Sequence, residues 1–211
     1  LLEGVGAAID SGPTRYGAAS SVIRPVGDRV HVIRAGAVPA ALLQDECGPV
    51  TLIVCTGNTC RSPMAAALLR DLLERRFKRD REANGLPLPA VHSAGTGAYE
   101  GAPASGNAIL VVREFGLDLR DHRSRRLTPQ AIRAADFVLT MSRGSADLIR
   151  KLAPDAAGRI EVLNQAGGGV PDPFGGVLEE YRGVAEVLRH ALVDFLDEHA
   201  DRFRGSPVDP S

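Results

Sequence analysis

An apolar run, Val50-Thr51-Leu52-Ile53-Val54, leads directly into Cys55-Thr56-Gly57-Asn58-Thr59-Cys60-Arg61-Ser62-Pro63-Met64, and this junction constrains the chain more than any other stretch. The run reads as a buried strand, and Ser62-Pro63 reads as a helix start. A strand joined to a helix by so short a loop turns a ring of backbone N–H groups toward one point, which is an anion site. A thiol inside that ring allows attack on phosphorus as well as the holding of phosphate.

Each residue type has a reason. A thiol is nucleophilic as the thiolate, and a helix N-terminus and a nearby cation both favour that form at Cys55. Arg61 offers a planar fork able to grip two phosphoryl oxygens, which a lysine cannot do. Ser62 can hydrogen-bond the thiolate and steady it as a leaving group. Gly57 and Asn58 tolerate the left-handed backbone that such a cradle needs. A phosphoryl transition state spreads charge over three oxygens, so loop amides plus Arg61 would supply most of the catalysis. The bland alternative is a structural cysteine beside a surface arginine, and the strand-then-helix order argues against it.

A phosphoryl transfer also needs an acid for the leaving group. Pro171-Asp172-Pro173-Phe174-Gly175-Gly176 lies near the other end of the chain, ahead of a helix. Aspartate beside proline and glycine ordinarily starts a turn or a helix. With Cys55 present, Asp172 reads better as a general acid held over a cleft by its flanking prolines.

Cys55-Thr56-Gly57-Asn58-Thr59-Cys60-Arg61-Ser62, Ser93-Ala94-Gly95-Thr96, Asp121-His122-Arg123-Ser124, Ala135-Asp136-Phe137-Val138-Leu139-Thr140-Met141 and Asp172-Pro173-Phe174-Gly175 occur in this order. In that set the chain resembles the low-molecular-weight protein-tyrosine-phosphatase family, from about residue 50 to about 200. The resemblance implies Cys55 as nucleophile, Arg61 as phosphate clamp and Asp172 as acid and then base. It implies Thr56, Gly57, Asn58, Thr59, Cys60, Arg61 and Ser62 as the phosphate cradle, with Asn58, Ser62, Ser93 and His122 as the hydrogen-bond network supporting it. By itself His122 would read as a solvated loop histidine among arginines.

Many tyrosine-specific members have isoleucine where this chain has Thr59, and an aromatic pair after the Asp-Pro step, where this chain has Phe174-Gly175. In both respects the chain looks like the bacterial protein-arginine phosphatases. A β-branched hydroxyl can contact a guanidinium, and loss of one aromatic wall reduces stacking on a phenol. Phosphoarginine is therefore favoured over phosphotyrosine, with a protein-tyrosine-phosphatase of the same mechanism as the alternative. Thioredoxin-coupled arsenate reductases share the loop type but carry cysteines downstream to relay a disulfide. The sequence has three cysteines, Cys47, Cys55 and Cys60, and none follows Cys60, so that activity is not expected. Cys60 either protects Cys55 from over-oxidation through a disulfide or simply packs under the loop. No cysteine or histidine set has zinc-ligand spacing, and no metal or cofactor is expected.

Strand and helix alternate through this region. Helical faces are expected at Ala65, Leu68, Leu69 and Leu72; at Ala108, Ile109, Val112 and Phe115, ended by Gly116; after Thr128-Pro129; at Leu148, Ile149 and Leu152; and from Tyr181 through Val184, Ala185, Leu188, Leu192 and Phe195 to Leu196. Strands are expected at 90–93, 137–140 and 160–163. The pattern predicts an α/β fold with a four-stranded parallel sheet and helices on both faces, Rossmann-like. The loop Ala166-Gly167-Gly168-Gly169 reads as flexible, able to let Asp172 adjust, and the tail 204–211 as disordered.

The net charge of −1 gives no sign of nucleic-acid or acidic-membrane binding. The basic run from Arg120 to Arg126 reads as a solvated loop that helps attract phosphorylated protein substrates, and the charged stretch 70–78 as the wet face of a helix. No apolar segment has spanning length, no signal-peptide pattern is present, and required free thiols fit a cytoplasmic location.

Residues 1–46 stand outside the phosphatase pattern, which is expected to occupy 47–203. They read as a hairpin, 21–24 paired with 29–34, followed by a helical turn over 39–44. Ala8-Ile9-Asp10-Ser11-Gly12-Pro13, Ser20-Ser21-Val22-Ile23 and Ile33-Arg34-Ala35-Gly36-Ala37-Val38 resemble the C-terminal end of a threonylcarbamoyl-AMP synthase domain. Only the end of such a domain is present and the chain starts at Leu1, so a fusion with an upstream synthase portion is expected, with Cys47-Gly48-Pro49 as linker. Two readings of another class therefore stand beside the phosphatase: a fusion whose main role is tRNA threonylcarbamoyladenosine synthesis, and a non-catalytic phosphoresidue-binding module. A binding module has no need of Asp172.

Overall fold

The computed structural model describes residues 19–26, 29–34, 36–37, 48–83 and 88–204. The chain divides into two units, Leu1–Cys47 and Gly48–Ser211. In the first, β1 (Val22–Val26) and β2 (Arg29–Arg34) form an antiparallel hairpin with an irregularity between Val22 and Ile23. Beyond the strands, Ala37 N–H donates to the Ala19 carbonyl at 2.8 Å, and Gly36 N–H to Ser21 Oγ at 3.1 Å. The turn expected over 39–44, Cys47, the 8–13 segment and the tail beyond Arg204 lie outside the described residues.

The second unit follows the alternation of the sequence: β3 (Val50–Cys55), α1 (Arg61–Ala83), β4 (Ala90–Gly95), α2 (Gly106–Glu114), α3 (Pro129–Ala134), β5 (Phe137–Thr140), α4 (Arg143–Leu152) and β6 (Ile160–Val162), then α5 (Leu178–Glu198) and α6 (Ala200–Arg204). All four strands are parallel, in the order β4-β3-β5-β6. The chain leaves β3 toward β4 on one side and returns to β5 on the other. The carboxyl end of β3 is therefore the point where such sheets open a crevice.

Strand alternation divides the core. Ile53, Cys55, Phe137 and Leu139 face the layer built by α1, α2, α5 and α6, while Leu52, Val54 and Val138 face the layer of α3 and α4. Each fully buried Leu, Ile or Phe stabilises the fold by roughly 1.5–3 kcal/mol. The expected face of α5 is buried from Tyr181 to Leu196. Polar residues start three helices, as Ser105, Thr128 and Ser142 accept from the N–H of Ala108, Ala131 and Ser145.

Three expectations need correction. The buried face of α4 is Ala146 and Ile149; Leu148 and Leu152 are each 44% exposed. The 166–169 loop is tied down rather than free: Gln165–Gly167 is a 3-10 turn, Gly169 N–H donates to Asn164 O, Asn164 Nδ2 returns a bond to Gly169 O, and Val170 N–H donates to Met141 O. A Cβ on Gly169, whose φ is +109°, would lie 2.6 Å from Met141 O, so this glycine serves close approach. Finally, α1 does not present only a wet face in its charged stretch. Leu73 and Phe77 are buried there, and further along Arg81 is fully buried with a guanidinium bond of 2.7 Å to Phe203 O. Phe203 itself stacks on Phe137 at 5.2 Å, and this is why the unanticipated α6 folds back.

Among the described residues no helix is long and apolar enough to cross a membrane.

Candidate active site

Cys55 ends β3, buried, and the chain turns through five residues to enter α1 at Arg61. The carbonyls along this turn are occupied by segments around it. Cys55 O accepts from Thr96 N–H, Thr56 O from Gly97 N–H, Thr59 O from Ser105 N–H and Cys60 O from Met64 N–H, and Asn58 O meets His122 Nε2 at 2.7 Å. A trans peptide points its N–H opposite its carbonyl, so the amides of the same planes turn away from these partners. The result is the nest of donors expected from the strand-loop-helix pattern. Gly95 makes the packing possible: a Cβ there would lie 2.5 Å from Thr56 O and 2.9 Å from Asn58 N.

Asn58 is the keystone of the turn. It alone of the loop residues adopts positive φ, at 55°; Gly57 keeps an ordinary backbone, so its freedom is not used. Asn58 N–H donates to Cys55 Sγ at 3.2 Å, and Asn58 Nδ2 donates to both Ser62 Oγ and Ser93 Oγ at 2.9 Å. Ser62 Oγ in turn lies 3.0 Å from Cys55 Sγ. All four members of the expected network thus meet at one residue. A fifth was not foreseen: the main-chain N–H of Arg125 donates to Asn58 Oδ1 at 2.8 Å.

His122 donates through Nε2 to Asn58 O, which requires a proton there. Burial foremost, and then the charges of Arg70, Arg125 and Arg123, push its pKa below the ordinary 6.5, while the bond to Asn58 O works the other way. The balance favours a neutral ring.

Arg61 lies with its side chain 10% exposed, donating to Val170 O at 3.2 Å and to a carboxylate oxygen of Asp172. The other oxygen of Asp172 accepts from Phe174 N–H at 3.2 Å. Asp172 does not cap α5, whose N-cap is Val177. Its side chain is half exposed over a cavity of about 260 Å³ floored by Cys55, Arg61 and the loop, with Thr59 and Phe174 on the walls. Phe174 is 79% exposed, and Gly175 beside it has φ +79°, a backbone that an aromatic residue would strain.

Cys60 also lines the cavity, and its thiol is free. Its sulfur lies 3.3 Å from the Tyr181 hydroxyl and 3.4 Å from Ser105 Oγ. Burial, and then the contact with Cys60, raises the Tyr181 pKa. Sequence periodicity had presented Tyr181 only as a core position and Ser105 not at all; the Ser105-Gly106 helix start was the available signal. Among the described residues no group of three or more His, Cys, Asp or Glu side chains is placed to hold a metal ion.

A buried thiol among amide donors, a guanidinium beside it and a carboxyl above it form an arrangement able to bind a phosphoryl group and receive it on sulfur. Comparison with known proteins leads to the same place. The model of the family described as low molecular weight phosphotyrosine protein phosphatase matches residues 50–203. A protein-arginine-phosphatase of Geobacillus stearothermophilus is 42% identical over 151 residues, which cover 70% of this chain and 93% of that protein. A probable low molecular weight protein-tyrosine-phosphatase, EpsP, of Ralstonia nicotianae is 32% identical over 142 residues, covering 67% of this chain and 89% of that protein. Among solved structures, the YwlE arginine phosphatase from Geobacillus stearothermophilus superposes with a TM-score of 0.61 at 38% identity, covering 72% of this chain and 93% of that one.

Proposed function

We propose, from the premise that the chain belongs to the low molecular weight phosphotyrosine protein phosphatase family, that it hydrolyses phosphorylated protein side chains through a cysteinyl-phosphate, with phosphoarginine preferred to phosphotyrosine. The observation that carries this reading is the convergence of Cys55, Arg61 and Asp172 on one cavity.

In the first step the Cys55 sulfur attacks phosphorus, and the bond to the leaving nitrogen or oxygen breaks as Asp172 delivers a proton to it. Arg61 and the loop amides bind the three equatorial oxygens in which charge gathers. In the second step Asp172, now a carboxylate, takes a proton from water as that water attacks phosphorus. The Cys55 thiolate leaves, steadied by Ser62 Oγ and Asn58 N–H. The substrate has to take Arg61 from Asp172. Doing so frees the guanidinium for the phosphoryl oxygens and leaves the carboxyl beside the leaving group.

Three observations support phosphoarginine. Thr59 presents a hydroxyl-bearing side chain to the cavity. Phe174 stands without a second aromatic, and the positive φ at Gly175 disfavours one. The relative named as an arginine phosphatase shares 42% of aligned residues, against 32% for the tyrosine phosphatase relative.

The test is phosphate release by the reduced chain from matched phosphoarginine and phosphotyrosine peptides, with Cys55→Ser as blank. Faster release from phosphoarginine is expected. Faster release from phosphotyrosine overturns the substrate assignment and keeps the mechanism; wild-type turnover by Cys55→Ser overturns the mechanism.

A further inference from the structure

A second cavity, of about 430 Å³, adjoins the network that holds Asn58 and shares no lining residue with the Cys55 cavity. Its walls come from three elements. Arg70 reaches in from α1, His92 and Ser93 from β4, and His122, Arg123 and Arg125 from the basic run that the proposed reaction leaves unused.

The charges there do not cancel. Asp118 also lines the cavity, but Arg120 grips it through Nε and a terminal nitrogen at 2.6–3.1 Å, holding its pKa at about 2. That leaves Asp121 as the remaining carboxylate against the guanidiniums of Arg70, Arg123 and Arg125. Arg70 is exposed as a residue, yet its guanidinium turns inward to donate to Val91 O at 2.7 Å, and burial around it lowers its pKa. Arg123 is braced on the carbonyls of Arg120 and His122 at 3.0 and 2.8 Å. The Arg125 guanidinium makes no hydrogen bond or ion pair among the described residues. All three act on the same imidazole, His122, which places their fields at one point.

Guanidiniums gathered on a concave wall repel one another unless an anion lies between them, and their planar forks match phosphate oxygens. The volume exceeds the roughly 30 Å³ that one water occupies in the liquid by more than tenfold. We propose that this cleft is a second anion site, holding a small phosphate-bearing molecule between Arg70, Arg123 and Arg125. It is coupled to the first site. The main chain of Arg125, the ring of His122 and the hydroxyl of Ser93 each bond Asn58, so an anion that orders these residues also favours the loop geometry that binds phosphate at Cys55.

The experiment is calorimetric titration of the whole chain with inorganic phosphate. Two phosphates per chain are expected. Arg125→Ala, a change at an exposed position, should weaken one of them at least tenfold, and Arg70→Gln should weaken that same one. Arg61→Ala should remove the other. A single phosphate that Arg61→Ala removes, or two that keep wild-type affinity in both Arg125→Ala and Arg70→Gln, overturns the second site. If instead Arg61→Ala leaves both phosphates in place, the second site stands and the phosphate clamp assigned to Arg61 falls.

Discussion

Arg61 and Asp172, 111 residues apart in sequence, are joined by a hydrogen-bonded ion pair across the mouth of the Cys55 cavity. In the proposed reaction the cation that binds the phosphoryl group is thus partly occupied, before substrate arrives, by the acid that protonates the leaving group. Asp172→Asn removes both the negative charge that holds Arg61 and the proton donor. Inorganic phosphate should bind the variant several-fold more tightly, while turnover of substrates with poor leaving groups falls by about 10²–10⁴. A leaving-group series checks this, since good leaving groups should lose much less. An equal loss across the series would count against the acid role.

Asn58 carries a second prediction. Asn58→Ala deletes bonds to Ser62, Ser93 and the Arg125 N–H, and leaves at φ near 55° a residue that tolerates the left-handed region less well than asparagine. The lost bonds and the left-handed backbone together should destabilise the fold by about 2–4 kcal/mol. Asn58→Gly relieves the backbone part and should recover about 1 kcal/mol of it. Urea unfolding of both variants measures the two parts; no difference between them would show that backbone strain is absent.

Thr59 carries the specificity argument. Thr59→Ile replaces its hydroxyl by a longer apolar arm at the cavity wall. The ratio of kcat/KM for phosphoarginine over phosphotyrosine peptides should fall by roughly tenfold or more, the scale of one polar contact at about 1.4 kcal/mol. An unchanged ratio would place the discrimination elsewhere.

His122 sets a pH dependence. Its folded pKa lies below the ordinary 6.5, so the unfolded chain binds the proton more readily than the native one. Its contribution is therefore complete above about pH 6.5 and is lost as pH falls through the folded value. His122→Asn should flatten that part of the stability profile. A variant whose unfolding free energy keeps the wild-type slope below pH 6.5 would rule this out.

Cys60 tests protection from oxidation. Peroxide converts the Cys55 thiol to a sulfenic acid with release of water, and attack by the Cys60 thiol forms the disulfide with release of a second water. Wild-type activity lost to brief peroxide should return on adding a thiol reductant, and Cys60→Ser should recover much less. Equal recovery would leave Cys60 as a packing residue beside Tyr181 and Ser105.

Much of the fold was legible in sequence because its signals are local. The unbroken apolar run of Val50–Cys55 marks a strand buried on both faces, and the helical spacing from Tyr181 to Leu196 names its own buried face. The side-chain partners of Asn58 were available only through the family resemblance, since Ser93 and His122 stand far away in the chain. The main-chain bond from Arg125 was available through neither, because any residue type can donate it. The α4 face was only partly judged: Ile149 is buried as expected, but its partner against the sheet is the small Ala146 rather than Leu148 and Leu152.

Sequence alone determined the strand-loop-helix around Cys55 and Arg61, since the strand, the loop and the helix start follow one another directly in the chain and their geometry is local. Tertiary structure decided what surrounds them. It brought Asp172 onto Arg61, closed the 167–169 glycines into a bonded turn against Met141, buried Arg81 against Phe203, and drew three arginines around His122. Those contacts depend on which segments share a face of the sheet, and that is settled by the packing of the whole chain rather than by any short stretch of it.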